Sequence, residues 1–368
     1  KLFTGRMEVT ECNVISAKFS VKAEITGLNA SLPLRTFQAQ TSYANNNGSV
    51  INVAGGSIIH TEDDAKYYAL RAAGASINVN MNEDNTAAAG NKTVIEGNIT
   101  TQSDWVNINS DATKDTVINL GLNTNDSSFH GIAYNAFGND GIEKSNKTTT
   151  KTFNGGINMW LQEGATWTNE DKSTSGEHKG TYGGVEFAGE GSHLAKLTGG
   201  STEAKAGVIF QKDANPITID NYSGNTKVMY EHTNDGDEAS DYAAGDITIK
   251  SATANSGITL GTDNSGISDV AKADATLNAL ANKLTYAAYV EGEKNLSGKV
   301  EIAEGLTSRS ATLRLEDMSF NEESGKGYYE KTPVTKDKFS TQITGDAGVD
   351  QEYVEAGVLT DGVYSFKS

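Results

Sequence analysis

The chain has 368 residues and a formal net charge of −18; 36% of its residues are hydrophobic and 8% aromatic, with 39 Gly and only 3 Pro. So acidic a chain lacks the basic patches that nucleic acid and anionic membrane surfaces require, and no apolar run approaches the roughly 18 residues of a transmembrane helix. The apolar content is low for one compact core and high for a disordered chain, but it suits repeats that each bury a thin stripe.

Residues 1–44 predict two strands of an N-terminal cap region that leads into the repeats. No apolar central stretch of a secretory signal opens the sequence, so we expect either a cytosolic protein or a mature chain whose signal has been removed. The single cysteine excludes a disulfide within the chain.

From residue 45 to 268, short segments with apolar residues at alternate positions recur between turns rich in Gly, Asn, Asp and Ser. In the clearest case "TVIEGNI" is followed 23 residues later by "TVINLGL", so that Ile95 matches Ile118. The pattern predicts an all-β fold, a parallel β-helix (solenoid) in which each such repeat adds one coil about 4.8 Å above the last. Ile, Val and Leu then stack inside, and Asn side chains form ladders at turns. The alternative is an antiparallel β-sandwich array, but the Asn-Gly hairpin signals lack paired alternating runs beside them.

Two segments, 123–155 and 168–182, are too long for turns and are predicted to be insertions that project from one face and carry binding. The first insertion contains the aromatic residues Phe129, His130 and Tyr134. These side chains are predicted either to join a binding surface or to cover neighbouring aromatic rings.

Trp105 and Trp160 are predicted to point outward, because the apolar residues on either side of each Trp alternate in the inward phase. An exposed Trp offers a large apolar face on which a sugar or another protein can stack. The two Trp residues and the three insertion residues are therefore the candidate ligand-binding residues. The alternative is that the long insertions fold back over both Trp side chains.

Residues 269–292 show the clearest helical pattern of the chain. Leu277, Leu280 and Leu284 lie on one stripe, which we expect to pack sideways on the solenoid as a lateral helix or to cap a stack. Further β-helix coils are predicted over 293–368, and we expect the chain to be a truncated fragment of a longer protein.

Parallel β-helices also include polysaccharide hydrolases and lyases, which need converging carboxylates or basic residues. Asp63, Asp64 and Arg71 are the best candidates for such a site, although a solvated turn is the simpler interpretation. Ser192 beside His193 does not predict a protease pair, because neighbours on a strand point to opposite faces. No catalytic residue is therefore predicted.

The His residues are scattered, and the acidic stretch 234–246 lacks the ligand order of an EF-hand. No metal site and no cofactor are therefore predicted, and the sequence leaves open whether the acidic stretch binds calcium.

Several phrases resemble the passenger region of bacterial autotransporters, in particular the large adhesin-type passengers of anaerobic diderm bacteria. They include "HLAKLTGGSTEAKAGVIF", "GDITIKSATANSGITLGTDNSGI" and "LSGKVEIAEGLTSRSATLRLEDMSF", and the resemblance covers about residues 156 to 368. It implies a right-handed parallel β-helix that is translocated through a C-terminal β-barrel not present in this chain. It also implies display on the bacterial cell surface, anchored at the outer membrane.

The resemblance implies an adhesin rather than an enzyme. Its expected partners are a host extracellular or mucosal glycoprotein or glycan, or another bacterial surface, as in biofilm formation; nucleic acid is not expected. Self-association through faces rich in Asn, Thr and Ser is the alternative mode of binding. The alternative to an adhesin is an enzyme, a surface β-helix that degrades polysaccharides.

Overall fold

The fold was analysed in a computed structural model. The residues that it describes are 14–17, 22–25, 36–40, 50–53, 55, 58–60, 68–73, 76–102, 116–135, 142–144, 147–151, 155–172, 180–182, 185–187, 191–231, 244–263, 276–277, 279–287, 295–303, 309–313, 318–320 and 329–331.

Short β-strands make up most of the described residues. Up to residue 135 they are β1 (Val14–Ala17), β2 (Lys22–Ile25), β3 (Thr36–Gln40), β4 (Val50–Val53), β5 (Ile58–His60), β6 (Leu70–Ala73), β7 (Ser76–Val79), β8 (Val94–Glu96), β9 (Ile99–Gln102), β10 (Thr116–Leu122), β11 (Ser128–His130) and β12 (Ala133–Asn135).

The strands that follow up to residue 230 are β13 (Ile142–Lys144), β14 (Lys147–Lys151), β15 (Gly155–Leu161), β16 (Thr166–Asn169), β17 (Gly180–Tyr182), β18 (Val185–Phe187), β19 (Ser192–Thr198), β20 (Gly207–Gln211), β21 (Ile217–Ser223) and β22 (Asn225–Tyr230). The remaining strands are β23 (Ile247–Ala252), β24 (Ser256–Asp263), β25 (Leu284–Tyr286), β26 (Leu296–Ala303), β27 (Arg309–Leu313), β28 (Met318–Phe320) and β29 (Tyr329–Lys331).

Three larger sheets collect most of these strands. Sheet 1 has the order β2-β4-β7-β10-β15-β19-β21-β23-β25, sheet 2 the order β27-β26-β24-β22-β20-β16-β11-β8-β5, and sheet 3 the order β1-β3-β6-β9-β12. Neighbouring strands in all three sheets pair in parallel, for example β10 with β15, except that β26 pairs with β27 antiparallel. The fold is therefore all-β and mostly parallel, as the sequence predicted.

The chain visits the sheets in a recurring order. It runs from β4 in sheet 1 to β5 in sheet 2 and β6 in sheet 3, and then returns to sheet 1 at β7, beside β4. The same order repeats through β7, β8 and β9 and again through β10, β11 and β12, while from β19 to β26 the described strands alternate between sheets 1 and 2.

Apolar side chains from equivalent strands stack into columns inside the sheets. In sheet 1, Ile118 lies between Ile77 and Ile157, and all three are fully buried. Burying one such side chain contributes about 1.5–3 kcal/mol relative to leaving it exposed, so the stacked columns are the main favourable term in this fold. Alternation places polar residues of the same strands on the opposite, outer face.

The 23-residue offset does not correspond to one coil, which corrects the prediction from the sequence. Ile95 lies on β8 of sheet 2, where its strand neighbours are Ile59 and Phe129, whereas Ile118 lies on β10 of sheet 1. The two phrases look alike because strands of both sheets have the same inward alternation, and alternation carries no information about which sheet a strand joins.

Buried polar side chains at strand ends link sheets 1 and 2. Ser192 Oγ donates to Asn169 Oδ1 at 2.6 Å, Asn169 Nδ2 donates to Gln211 Oε1 at 2.6 Å, and Gln211 Nε2 donates to the main-chain oxygen of Gly245 at 2.7 Å. All three side chains are buried, so this chain of bonds satisfies polar groups that would otherwise be costly.

The first predicted insertion and the predicted helix can be placed in these sheets where their residues are described. Part of 123–155 forms β11 and β12 of sheets 2 and 3, while β13 and β14 pair with each other antiparallel. Residues 276–277 and 279–281 are helical, and Leu277 and Leu280 are buried in the core. Leu284 begins β25 of sheet 1 and is also buried.

Candidate functional site

The outer face of sheet 1 carries a ladder of asparagine side chains. The strand register aligns Asn52 on β4, Asn78 on β7, Asn119 on β10 and Asn158 on β15 in one row. Each Nδ2 donates to the Oδ1 of the preceding rung: Asn78 to Asn52 at 2.8 Å, Asn119 to Asn78 at 2.8 Å, and Asn158 to Asn119 at 2.9 Å. Since these side chains are half-buried, each amide also faces solvent.

The same row continues across the later strands of sheet 1. Lys196 on β19 is the register partner of Asn158, and Asn221 and Ser251 follow on β21 and β23. Ser251 Oγ donates to Asn221 Oδ1 at 3.1 Å, which extends the side-chain bonding along the row. We call the seven residues of this row the ladder face: Asn52, Asn78, Asn119, Asn158, Lys196, Asn221 and Ser251.

Trp160 lies next to the ladder face and occupies the outward phase of β15, as its alternation with Met159 and Leu161 predicted. Its side chain is nevertheless only 8% exposed, and Lys196 Nζ lies 5.6 Å from the ring centroid, within the range of a cation–π contact. The expectation that Trp160 presents an open ring face for stacking is therefore corrected: the ring is outside the core but already covered.

Phe129 is fully buried in the core of sheet 2, and its predicted place on a binding surface is corrected as well. Its ring stacks on that of Trp167, with 5.8 Å between centroids and 17° between planes. Trp167 donates from Nε1 to the main-chain oxygen of Gly131 at 2.9 Å, which satisfies its polar atom inside the core. Sequence reasoning assigned this segment to an insertion because the alternation of a three-residue strand is too short to recognise.

Tyr134 is 2% exposed on β12 of sheet 3, so its ring is also unavailable to a ligand. Beside it, burial raises the pKa of Tyr68 to about 12, and the charges of Tyr134 and Asp171 act in the same direction. Asn98 Nδ2 donates to Asp171 Oδ1 at 2.8 Å, which holds the segment after β16 against this part of the molecule.

His130 keeps part of its side chain exposed on the outer face of sheet 2. Its Nδ1 lies 3.4 Å from Glu96 Oε2 and its Nε2 lies 2.6 Å from Glu170 Oε2. Its Nε2 is hydrogen-bonded to Glu170 and its Nδ1 faces Glu96, so carboxylates of the protein lie next to both ring nitrogens. The predicted residue Trp105 lies outside the described residues.

The side chains of Ser192 and His193 lie on opposite sides of β19. Ser192 is buried and accepts a hydrogen bond from the main-chain nitrogen of Ala133 at 3.0 Å, whereas His193 Nε2 lies 2.9 Å from Asp220 Oδ2 on the outer face. Asp220 also pairs through Oδ1 with Lys250 Nζ at 3.0 Å. Burial alone raises the pKa of Asp220, but the hydrogen bonds and charges of His193 and Lys250 outweigh it and hold this pKa below its ordinary value.

The other residues with a predicted chemical role are only partly within the structure. Asp63 and Asp64, and most of the acidic stretch 234–246, lie outside the described residues. Within the described parts of the chain, no group of three or more His, Cys, Asp or Glu residues has an arrangement that could hold a metal ion.

No family model matches the sequence, and no curated protein or solved structure matches it either. Across the described residues, none of the helices has the length and apolar character needed to cross a membrane.

Proposed function

We propose that this chain is the β-helical part of a surface-displayed autotransporter passenger and that it acts as an adhesin. The proposed architecture is a right-handed parallel β-helix, with the three sheets as its faces. The parallel pairing and the recurring order of the sheets support this architecture, and the sequence phrases that resemble adhesin-type passengers support the class.

The ladder face is the observation that carries the proposal. Six of its seven residues are uncharged and polar, in a chain with a formal charge of −18. Another acidic surface can approach such a row more closely than it can approach a carboxylate-rich face, because charge repulsion falls off within about 8 Å at physiological salt. Each amide offers donors and an acceptor, and the rungs repeat along the sheet.

The proposed partners are a host extracellular or mucosal glycoprotein or glycan, or the surface of another bacterium, met at the bacterial cell surface. Each hydrogen bond to a solvent-exposed amide contributes little by itself. A row of such contacts on a rigid face, displayed in many copies, can still hold a cell to a surface through multivalency.

Binding of the purified protein to immobilised mucin, collagen and fibronectin tests the proposal. A double variant, Asn221→Glu with Ser251→Glu, places two carboxylates on the ladder face. The matched control, Ala89→Glu with Asn125→Glu, places two carboxylates on exposed turns between sheets 1 and 2, away from the ladder face. We expect the first variant to lose binding and the control to bind like the parent protein. If the parent protein binds none of the three surfaces more strongly than an inert protein of equal charge does, attachment to host material is refuted.

Self-association is the second candidate function, and the continuity of the ladder face favours it. Two copies can bring the same row together, because each asparagine of the row carries groups that both donate and accept. Sedimentation velocity over a range of concentrations, with the same two double variants, tests this mode. A parent protein that stays monomeric at every concentration contradicts it.

A further inference from the structure

A cavity of about 340 Å³ lies on the outer face of sheet 2, away from the ladder face. Its walls come from β22, β24 and β26 and from the 3₁₀ turn Glu203–Lys205, which connects β19 to β20. Polar side chains make up much of its lining, among them Asn225, Lys227, Thr259, Ser297, Lys299 and Glu301. The volume falls at the lower end of the range for small-molecule sites, which suits one sugar residue rather than a long chain.

The strand register builds this cavity from distant parts of the sequence. Lys227, Thr259 and Lys299 are register partners on β22, β24 and β26, so the two ammonium groups flank one hydroxyl. Gly257 has no side chain and so leaves open the space next to Asn225 at the bottom of the cavity. A Cβ at Gly257 would lie 2.5 Å from Asn225 Oδ1, so any larger residue there would displace the Asn225 side chain.

At the floor of the cavity a carboxylate lies between the two lysines. Glu301 Oε1 lies 2.5 Å from Lys227 Nζ, and its Oε2 lies 3.3 Å from Lys299 Nζ. Burial alone raises the pKa of Glu301, but the two lysines outweigh it and hold this pKa below its ordinary value, so the carboxylate is ionised. These three side chains together carry one positive charge, which the carboxylate of Glu203 balances in the free protein.

A second carboxylate reaches the floor from the rim. Glu203 Oε1 lies 3.1 Å from Lys299 Nζ, but the Glu203 side chain is 70% exposed, compared with 16% for Glu301. Exposed ion pairs are weak, so a competing carboxylate can replace Glu203 at little cost. Glu301 is far less exposed and contacts both lysines, so it stays in place.

We propose that this cavity binds the carboxylate of an acidic sugar, of the uronic or sialic acid type, in the position that Glu203 occupies in the free protein. Lys299 and Lys227 receive the ligand carboxylate, and Asn225, Thr259 and Ser297 bond its hydroxyl groups. The inference rests on the proposed role in attachment and names a ligand class for it. With Glu203 displaced, the single excess positive charge suits a monoanion, and the hydroxyl groups of Thr259 and Ser297 and the amide of Asn225 suit a polyol.

The acidic character of the whole chain does not oppose this assignment. Charges farther than about 8 Å from the ligand are largely screened at physiological salt, whereas the two lysines contact it directly. We therefore expect weak binding of one sugar residue, which multivalent display on a cell strengthens.

Titration of the full chain by isothermal calorimetry and ligand-observed NMR tests the proposal. The probes are methyl glucuronoside and methyl N-acetylneuraminoside, with methyl glucoside and glucuronamide as neutral counterparts. Glucose 6-sulfate and inorganic phosphate serve as other anions. We expect the two acidic sugars to bind and the two neutral ones not to bind.

Four variants, one of them a control, separate recognition of the ligand from a general effect on the structure. Lys299→Gln should weaken binding of the acidic sugars by about tenfold or more, because a charge-assisted hydrogen bond is lost, and Lys299→Arg should retain it. Glu203→Gln should tighten binding by roughly two- to fivefold, because it removes the competing carboxylate. Lys205→Gln, in the same turn but paired with Glu163, is the matched control and should bind like the parent.

Equal binding of acidic and neutral sugars would overturn the proposal, and so would an unchanged affinity in Lys299→Gln. Weaker binding in Glu203→Gln would show that this carboxylate is a wall of the site and not a stand-in for the ligand. Preference for phosphate or sulfate over both acidic sugars would overturn the sugar class. If the parent binds mucin but no acidic sugar, only the cavity proposal fails; if it binds acidic sugars but no surface, only the adhesin proposal fails.

Discussion

Replacing one internal rung of the asparagine ladder tests whether the ladder stabilises the stacked strands. Asn119 makes two ladder bonds, since it donates to Asn78 and accepts from Asn158, whereas Asn158 makes one ladder bond. A protein hydrogen bond contributes about 1 kcal/mol net, and water can reach these half-buried groups once a partner is lost. We therefore expect Asn119→Ala to cost about 2 kcal/mol and Asn158→Ala about 1 kcal/mol.

Hydrogen exchange of the backbone amides of β10 and β15 measures this difference locally. Local exchange is preferable to one global melting curve, because a stacked array need not unfold in a single step. The expected losses correspond to roughly 30-fold faster exchange for Asn119→Ala and roughly fivefold for Asn158→Ala. Both changes introduce the same residue at outward strand positions, so intrinsic strand propensity cancels between them. Equal effects of the two variants would refute the additive ladder.

Asn119→Asp provides a second measure of the same contact. In the parent protein Asn119 Nδ2 donates to Asn78 Oδ1 at 2.8 Å. An ionised carboxylate in place of Asn119 cannot donate, so it would set an acceptor against the acceptor of Asn78. We expect Asp at this position to be more damaging than Ala at pH 7 and less damaging below about pH 4, where the acid is protonated and can donate. A loss that does not change with pH would contradict this account of the ladder.

Three further predictions concern the core, the outer ion pairs and one turn. Phe129→Ala removes the ring stacked on Trp167 and should cost about 3–5 kcal/mol, measured by urea denaturation, with a change in Trp fluorescence. The pKa of Asp220 is lower in the folded than in the unfolded protein, so its ion pairs stabilise the fold fully above the unfolded pKa near 3.8. This stabilisation is lost as the pH falls through the folded pKa. Asp220→Asn should therefore make the stability depend less on pH in the acidic range. Gly191→Ala should prevent normal packing of β19, because Gly191 has φ of +74° and a Cβ there would lie 2.2 Å from the main-chain oxygen of Pro216. A melting temperature equal to that of the parent protein would contradict this prediction.

Local alternation was sufficient to predict much of the core. Ile77, Ile118 and Ile157 each begin a run with apolar residues at alternate positions, and each is fully buried in one column of sheet 1. Trp160 was likewise assigned correctly to the outward phase. Its burial could not be read from β15 alone, because the contact comes from Lys196 on another strand.

The vertical neighbours of each strand could not be predicted from spacing. Successive ladder asparagines are 26, 41 and 39 residues apart, so the length of chain between rungs varies widely. The 23-residue offset of the repeated phrase is smaller than all three separations, and it relates strands of different sheets. A repeat search succeeds only when successive strands of one sheet are separated by nearly the same length of chain, and this chain does not meet that condition.

The sequence by itself determined that the chain forms short strands with one apolar face, because a two-residue period is a local property of the backbone. It also determined the acidic charge and the supply of Asn, Thr and Ser for outer faces. Only the tertiary structure decided which asparagines form a ladder, which aromatic rings enter the core, and how Lys227, Lys299 and Glu203 meet at one cavity. Those outcomes depend on the register between strands far apart in the chain, and register is set by the packing of all the columns together rather than by any single segment.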